Sequence, residues 1–269
     1  MTSPIIIDEL KTRVKAGEII PFVGSGVSAN LGLPSWSGLI SEMARSIDYD
    51  AELFLEAAEF PSLAEFYEIE MGGRSGLVRW MKDNWDAGTI TTTASAIHAS
   101  LVECGFRRLY TTNYDHFIER SFTERGFQCN AVIDASDFQK LRANTPVVIK
   151  FHGDIDRPSS MVVTETDYYQ RMSLDNELDL LLRADAISGG LLFLGYSLSD
   201  RNLRYILHKQ RVINGQFSPG HTGPKSYLFT HKLSHVEAKL LARWNVDVIV
   251  SDEMSPGPAL TNFMQSLVT

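Results

Sequence analysis

The chain has 269 residues, of which 44% are hydrophobic and 22% charged, and carries a formal net charge of −8. That size and balance fit one large soluble α/β domain, with or without a small inserted subdomain, and exclude disordered or collagen-like chains. The acidic charge argues against a surface built for nucleic-acid phosphates, and two cysteines, Cys104 and Cys129, are too few for a disulfide framework or a four-cysteine zinc site.

The first residues, MTSPIIIDELKTRVKAGE, carry an early acid and no apolar stretch of leader length, so no signal peptide is expected. No apolar run approaches the roughly 18 residues a membrane helix needs, so no membrane association is expected and the expected location is the cytoplasm. Residues Ile5–Ala16 read as a helix. Ile19–Gly24 (IIPFVG) then reads as a strand, and its apolar residues run on without alternating. Strands buried on both faces require such runs. From 37 to 100 no strand is visible. SGLISEMARSI, AELFLEAAEF, LAEFYEIEM and LVRWMKDNW all have helical apolar spacing.

Further apolar runs follow at Arg108–Thr112, Pro146–His152, Gly190–Gly195, Ser226–Thr230 and Val246–Val250. Helical stretches lie between them at Asp115–Arg125, Glu177–Ser188, Ser199–Val212 and His235–Trp244. Strands alternating with helices imply parallel pairing. The expected fold is a Rossmann-like, doubly wound parallel α/β sheet of about six strands. In domain terms, 1–36 and 101–269 form the core and 37–100 a helical insertion or cap. The loop Asn214–Lys225 is rich in Gly, Pro and Ser.

Four strand ends carry small or polar residues that a sheet does not need. The first strand runs into Gly24, Ser25, Gly26 and Ser28, where glycines permit a tight turn and close approach to a phosphate. A glycine at 29 would complete the usual dinucleotide fingerprint, but that position is alanine. The second ends at Asn113 and Asp115, which also read as helix N-caps. The third ends at His152, placed to act as a base or simply to pack. The fourth ends at Gly195 and Ser197, before a helix that Ser199 or Asp200 would cap. In an open parallel sheet these ends share one edge and converge on one crevice.

These segments resemble a known family. Gly24-Ser25-Gly26-Val27-Ser28 through Gly32-Leu33-Pro34 is similar to the sirtuin GAGxS…GIP segment, and Thr112-Asn113-Tyr114-Asp115 to its TQNxD. His152-Gly153 matches the sirtuin HG, and Gly195-Tyr196-Ser197-Leu198 resembles its GTSL. The fuller TTNYD, HGDID, VVTETDYY and LGYSLSDRNL resemble the SIR2-like effector domains of bacterial anti-phage systems. The likeness spans roughly residues 15–250. Two features depart from deacylases: no four-cysteine zinc module is possible, and Pro34 is followed by Ser35-Trp36-Ser37 rather than by a segment with Phe-Arg.

The resemblance implies NAD+ as substrate and no metal. It implies cleavage of the nicotinamide–ribose bond by water, giving nicotinamide and ADP-ribose. Gly24, Ser25, Gly26 and Ser28 would line the phosphates and ribose. Asn113 would orient a water or the ribose hydroxyls, and Asp115 would bind the carboxamide. His152 would contact the ribose as general base, and Gly195 and Ser197 would support the adenosine half. It further implies control by homo-oligomer assembly or by a regulatory partner such as a HerA-type ATPase or an Argonaute. Two alternatives stand beside it. A non-catalytic NAD or ADP-ribose sensor would need neither Asn113 nor His152. A zinc-free deacylase or ADP-ribosyltransferase would consume NAD+ only with a peptide.

Overall fold

The computed structural model describes residues 4–85, 90–172, 176–196, 205–208, 212 and 223–268. Seven strands form one sheet: β1 (Ile19–Val23), β2 (Arg108–Thr111), β3 (Asn130–Val132), β4 (Val147–Lys150), β5 (Gly190–Leu194), β6 (Ser226–Thr230) and β7 (Val246–Val250). Their order is β3-β4-β2-β1-β5-β6-β7, and every pair is parallel. The six expected strands are all present. The seventh, β3, has three residues and alternates buried, exposed, buried at the sheet edge, so it lacks a continuous apolar run. No described helix is long and apolar enough to cross a membrane.

Helices cover both faces. On one, α1 (Pro4–Lys15), α7 (Ala96–Glu103), α8 (Phe117–Thr123) and the C-terminal α12 (Pro256–Val268) bury Leu10, Ile97, Leu101, Phe122 and Met264 against Val23, Leu192 and Leu194. On the other, α10 (Glu177–Ser188) and α11 (His235–Arg243) bury Leu178, Leu182 and Leu241 against Phe22, Ile149 and Phe193. Four helices before α7 form a third cluster: α3 (Trp36–Ser46), α4 (Ala51–Ala57), α5 (Phe60–Met71) and α6 (Ser75–Trp85). Ile40, Met43, Leu63, Tyr67 and Met81 pack there with Tyr114, Ile155 and Met161 from the segments that follow β2 and β4. Of the expected helix Ser199–Val212, only 205–208 and 212 are described, and these are helical.

The centre of the sheet is aromatic. Phe22 stacks on Tyr110 at 5.4 Å and on Phe193 at 5.6 Å, and meets Phe151 edge-on at 5.5 Å. Tyr110 donates its hydroxyl to Asp185 at 2.6 Å, which satisfies the one polar atom of the stack.

Register sets the crevice. Val23 pairs with Thr111 on one side and Leu194 on the other, and Thr111 pairs with Lys150. Residues just past these four positions therefore emerge side by side. The strand order reverses at β1, with β2 on one flank and β5 on the other, so the crevice lies at the switch point of the sheet.

Because Phe22 is fully buried and packs against four other rings, those of Tyr110, Phe151, Phe193 and Tyr196, Phe22→Ala is expected to cost about 3–5 kcal/mol of stability. Denaturant unfolding followed by circular dichroism measures this; a loss below about 1 kcal/mol would mean the stack is not a keystone of the core.

Candidate active site

β1 and β5 approach each other through glycine. Gly24 donates its N–H to Leu194 O at 2.8 Å, and Gly26 donates to Gly195 O at 2.9 Å. A Cβ on Gly26 would lie 2.8 Å from the Gly195 backbone, and one on Gly24 2.9 Å from the Gly195 carbonyl. Gly195 has φ +71°, a conformation that suits glycine. The α-helix α2 (Ser25–Ala29) starts directly after Gly24 and turns Ser28 inward, where it is buried.

From β2 the chain leaves the sheet through Thr112 and Asn113. The Asn113 amide donates to Ser28 Oγ at 2.9 Å and to the Gly24 carbonyl at 3.2 Å. Ser28 Oγ in turn donates to Asp115 Oδ2 at 2.8 Å. Asp115 Oδ1 accepts the Phe117 N–H at 3.0 Å, so one carboxylate both starts α8 and faces the crevice. Asn113 does not cap: both hydrogens of its amide are spent on Ser28 and Gly24, leaving Oδ1 as acceptor.

Beneath this chain lies Lys150, fully buried at the end of β4. Its ammonium donates to the Asp115 carbonyl and lies 3.4 Å from both Glu119 and Asp154. Burial works against its charge, but Glu119 and Asp154 outweigh that and raise its pKa. Asp154 also holds His116 at 2.9 Å, a hydrogen bond that raises the His116 pKa against the cost of burial. Burial disfavours the Asp154 carboxylate, yet His116 and Lys150 hold it down at about 2.

His152 follows Phe151 in the turn after β4. Its ring lies 5.9 Å from the Phe151 ring and meets the Tyr168 ring edge-on at 5.6 Å. Tyr168 belongs to α9 (Glu165–Met172), as does Arg171, whose guanidinium sits 4.1 Å over Phe151. Burial, and secondarily Arg171, pushes the His152 pKa down to about 3, so the ring is neutral at ordinary pH.

Two cavities meet at Ser25. The smaller, about 70 Å³, is lined by Ser25, Ser28, Asn113, Asp115 and His152, and closed by aromatic side chains that include Trp36, Trp85 and Tyr168. The larger, about 890 Å³, has Ser25, Gly26 and Gly195 on one wall and the β6–α11 segment Thr230–Ser234 on the other, with α12 at its edge. The larger volume is in the range that holds a nucleotide-sized ligand. Of the residues singled out in the sequence, Gly24 alone is packed beneath the cavities, where it serves the strand crossing; Ser197 lies outside the described residues. Sequence reasoning missed Trp36, Trp85, Tyr168 and the β6 strand end. The last carried the same signal as the other four, polar residues after an apolar run, in Thr230-His231-Lys232.

Parallel strands with a polar crevice at the switch point define an α/β protein that takes its ligand at the strand ends. The family model of the SIR2-like domain matches residues 107–249, more than half of the chain. The chain belongs to the SIR2-like family. It is 32% identical over 232 residues to an NAD(+) hydrolase ThsA of Cytobacillus dafuensis, covering 86% of this chain and 44% of the relative. It is 30% identical over 212 residues to an NAD(+) hydrolase ThsA of Bacillus cereus (strain MSX-D12), covering 77% and 43%. To defense-associated sirtuin 2 of Bacillus subtilis it is 24% identical, over 77% of this chain and 20% of that one. The chain thus spans less than half the length of these relatives. The crystal structure of a SIR2 homologue–NAD complex shares the fold, with a TM-score of 0.54 and 13% identity over 97% of this chain and 93% of that one.

The neutral His152 has a consequence for stability. Folded, its pKa is about 3; unfolded, it returns to about 6.5. Between these values the unfolded chain binds the extra proton, so this contribution is full above about pH 6.5 and is lost as pH falls. His98, pushed down to about 4 by burial, acts in the same direction. His116, with a raised pKa, acts in the opposite one. We expect His152→Gln to retain more of its neutral-pH stability at about pH 4.5 than the wild type. Denaturant midpoints at the two pH values measure this, and parallel losses in both proteins would place a charged His152 in the fold.

Proposed function

We propose that this chain is an NAD+ glycohydrolase, which cleaves the nicotinamide–ribose bond of NAD+ with water to give nicotinamide and ADP-ribose. One observation carries the reading: the bonded series Asn113–Ser28–Asp115 and the neutral His152 line one small cavity, and Ser25 lines both this cavity and a larger one. Relatives named NAD(+) hydrolase support it. The whole chain, 1–269, is read as a single SIR2-like domain, with 37–100 as a helical cap on a core of 1–36 and 101–269.

In this reading the dinucleotide bridges the two cavities. Its pyrophosphate passes over Ser25 and Gly26, its adenosine half occupies the larger chamber near Gly195, with Ser197 as a further contact that the resemblance implies, and nicotinamide enters the smaller. Gly24 contributes by bringing the two strand ends together. The bond breaks through a cationic, oxocarbenium-like ribose from which nicotinamide leaves neutral. A neutral His152 on the cavity that Asp115 also lines suits that state, because a charged imidazolium would repel it. Asp115 retains lone pairs for the carboxamide N–H groups. Asn113, its N–H groups committed elsewhere, offers Oδ1 to orient the attacking water or a ribose hydroxyl. His152 contacts the ribose as a neutral ring and takes the proton of the attacking water only as the new C–O bond forms and discharges the ribose cation, and then passes it to solvent. None of these steps calls for a metal.

We extend the reading to a cytoplasmic anti-phage effector held silent until assembly or a partner releases it. Homo-oligomerisation and a HerA-type ATPase or Argonaute partner are its candidates; a relative named defense-associated sirtuin supports the defence setting.

The test is to incubate purified protein with NAD+, with and without an acetyl-lysine peptide, and to follow nicotinamide and ADP-ribose by chromatography. Release is expected without peptide. Asn113→Ala and His152→Ala are expected to lower it by about 10²–10⁴-fold while leaving the fold intact by circular dichroism. Release only with peptide would make the chain a deacylase; NAD+ binding without turnover fits a sensor and a silenced enzyme alike, and the search then moves to an activating partner.

A further inference from the structure

The four helices α3–α6 stand apart from the sheet, yet one of their residues reaches behind His152. Arg74 lies in the turn between α5 and α6, with its side chain 19% exposed. Its guanidinium has two sets of partners. Nε pairs with Glu68 at 2.8 Å, within the helical group. Nη1 donates to the Met161 carbonyl at 2.6 Å, and Nη2 pairs with Asp167 at 2.9 Å, both outside it.

Those outer partners flank the His152 turn. Residues 158–162 form a strap laid across it. Val162 donates its N–H to the His152 carbonyl at 2.9 Å, and Asp154 donates its N–H to Ser160 Oγ at 3.1 Å. The strap lies so close to Gly153, which has φ +86°, that a Cβ there would sit 2.1 Å from the Ser160 carbonyl. Asp167 accepts the N–H groups of Val163 and Thr164, both at 3.0 Å, and so fixes the start of α9. One residue later on α9 comes Tyr168, whose ring faces His152 edge-on.

We propose that Arg74 is a positioning residue for His152, through which the helical group sets the rate of the chemical step. A single guanidinium holds the backbone strap on one flank of the imidazole and the helix carrying its aromatic neighbour on the other. Its planar fork reaches a carbonyl and two carboxylates at once, a geometry that a lysine ammonium cannot reproduce. Arg74 lines neither cavity, so its removal deletes no lining side chain and loosens the aim of His152 together with its neighbour Tyr168. The inference rests on the glycohydrolase reading given above.

The experiment compares Arg74→Met, Arg74→Lys and Phe54→Ala with the wild type. Phe54 is buried in the same helical group, against Tyr49 and Phe66, and matches a general loss of stability there. Arg74→Met is expected to lower kcat for nicotinamide release by roughly 10- to 100-fold with KM within about twofold. Arg74→Lys is expected to recover part of that loss. Phe54→Ala, despite a lowered Tm, should keep its kcat. The histidine ring NMR signals give a readout independent of turnover: Arg74→Met should shift those of His152, assigned with His152→Gln, and leave those of His231 in place. An unchanged kcat and unshifted His152 signals in Arg74→Met would overturn the proposal, as would an equal kcat loss in Phe54→Ala. A wild type that releases no nicotinamide would bear on the glycohydrolase reading and not on Arg74, and the His152 signals would then decide the positioning role alone.

Discussion

Two strand ends in this molecule approach more closely than side chains allow. Gly24 and Gly26 lie against Gly195 with their N–H groups bonded to the carbonyls of Leu194 and Gly195. A side chain at any of the three would push β1 and β5 apart at their carboxyl ends. The approach brings Ser25 to the junction of the two cavities, and the short helix that follows turns Ser28 toward Asn113 and Asp115. The polar series across β1 and β2 therefore exists because the crossing from β1 to β5 is tight.

Charge behind the cleft is balanced in depth. Lys150 is a fully buried cation, and such a group is tolerated only when paired. Glu119 and Asp154 supply the pairing, and the Asp115 carbonyl supplies a further acceptor. This arrangement anchors the backbone of Asp115 from below while Ser28 and the Phe117 N–H hold its carboxylate from above. The side chain is thereby held at both ends, which favours a fixed electrostatic environment over a mobile one.

Much of this was legible in the residues. Buried parallel strands announce themselves by unbroken apolar runs, so β1, β2, β4, β5, β6 and β7 could be read directly, whereas the three-residue β3 could not. Polar strand ends led to Asn113, Asp115, Ser28 and His152. What spacing could not reveal was division of labour. Gly24 reads as a phosphate-loop glycine but lies beneath the cavities, and Asp115 both starts a helix and faces the cleft. Trp36, Trp85 and Tyr168 escaped notice because an apolar or aromatic residue at helical spacing gives no sign of which cavity it closes. Arg74 carries no motif at all; its partners beside the His152 turn, Met161 and Asp167, are 87 and 93 positions away in sequence, brought near only by the packing of α5 and α6.

The two cavities are built from different parts of the chain, and this separates binding from chemistry. The larger is walled by strand ends and helix starts of the sheet itself: β1, β5, β6, α11 and α12. The smaller takes Leu39 from α3, Trp85 from α6 and Tyr168 from α9, elements outside the sheet. It is also the one that contains His152. A movement of the helical group would then alter the lining of the smaller cavity and leave that of the larger in place. A cleft of this design allows an enzyme to be switched without releasing its substrate, because the energy of binding and the geometry of reaction depend on separate contacts.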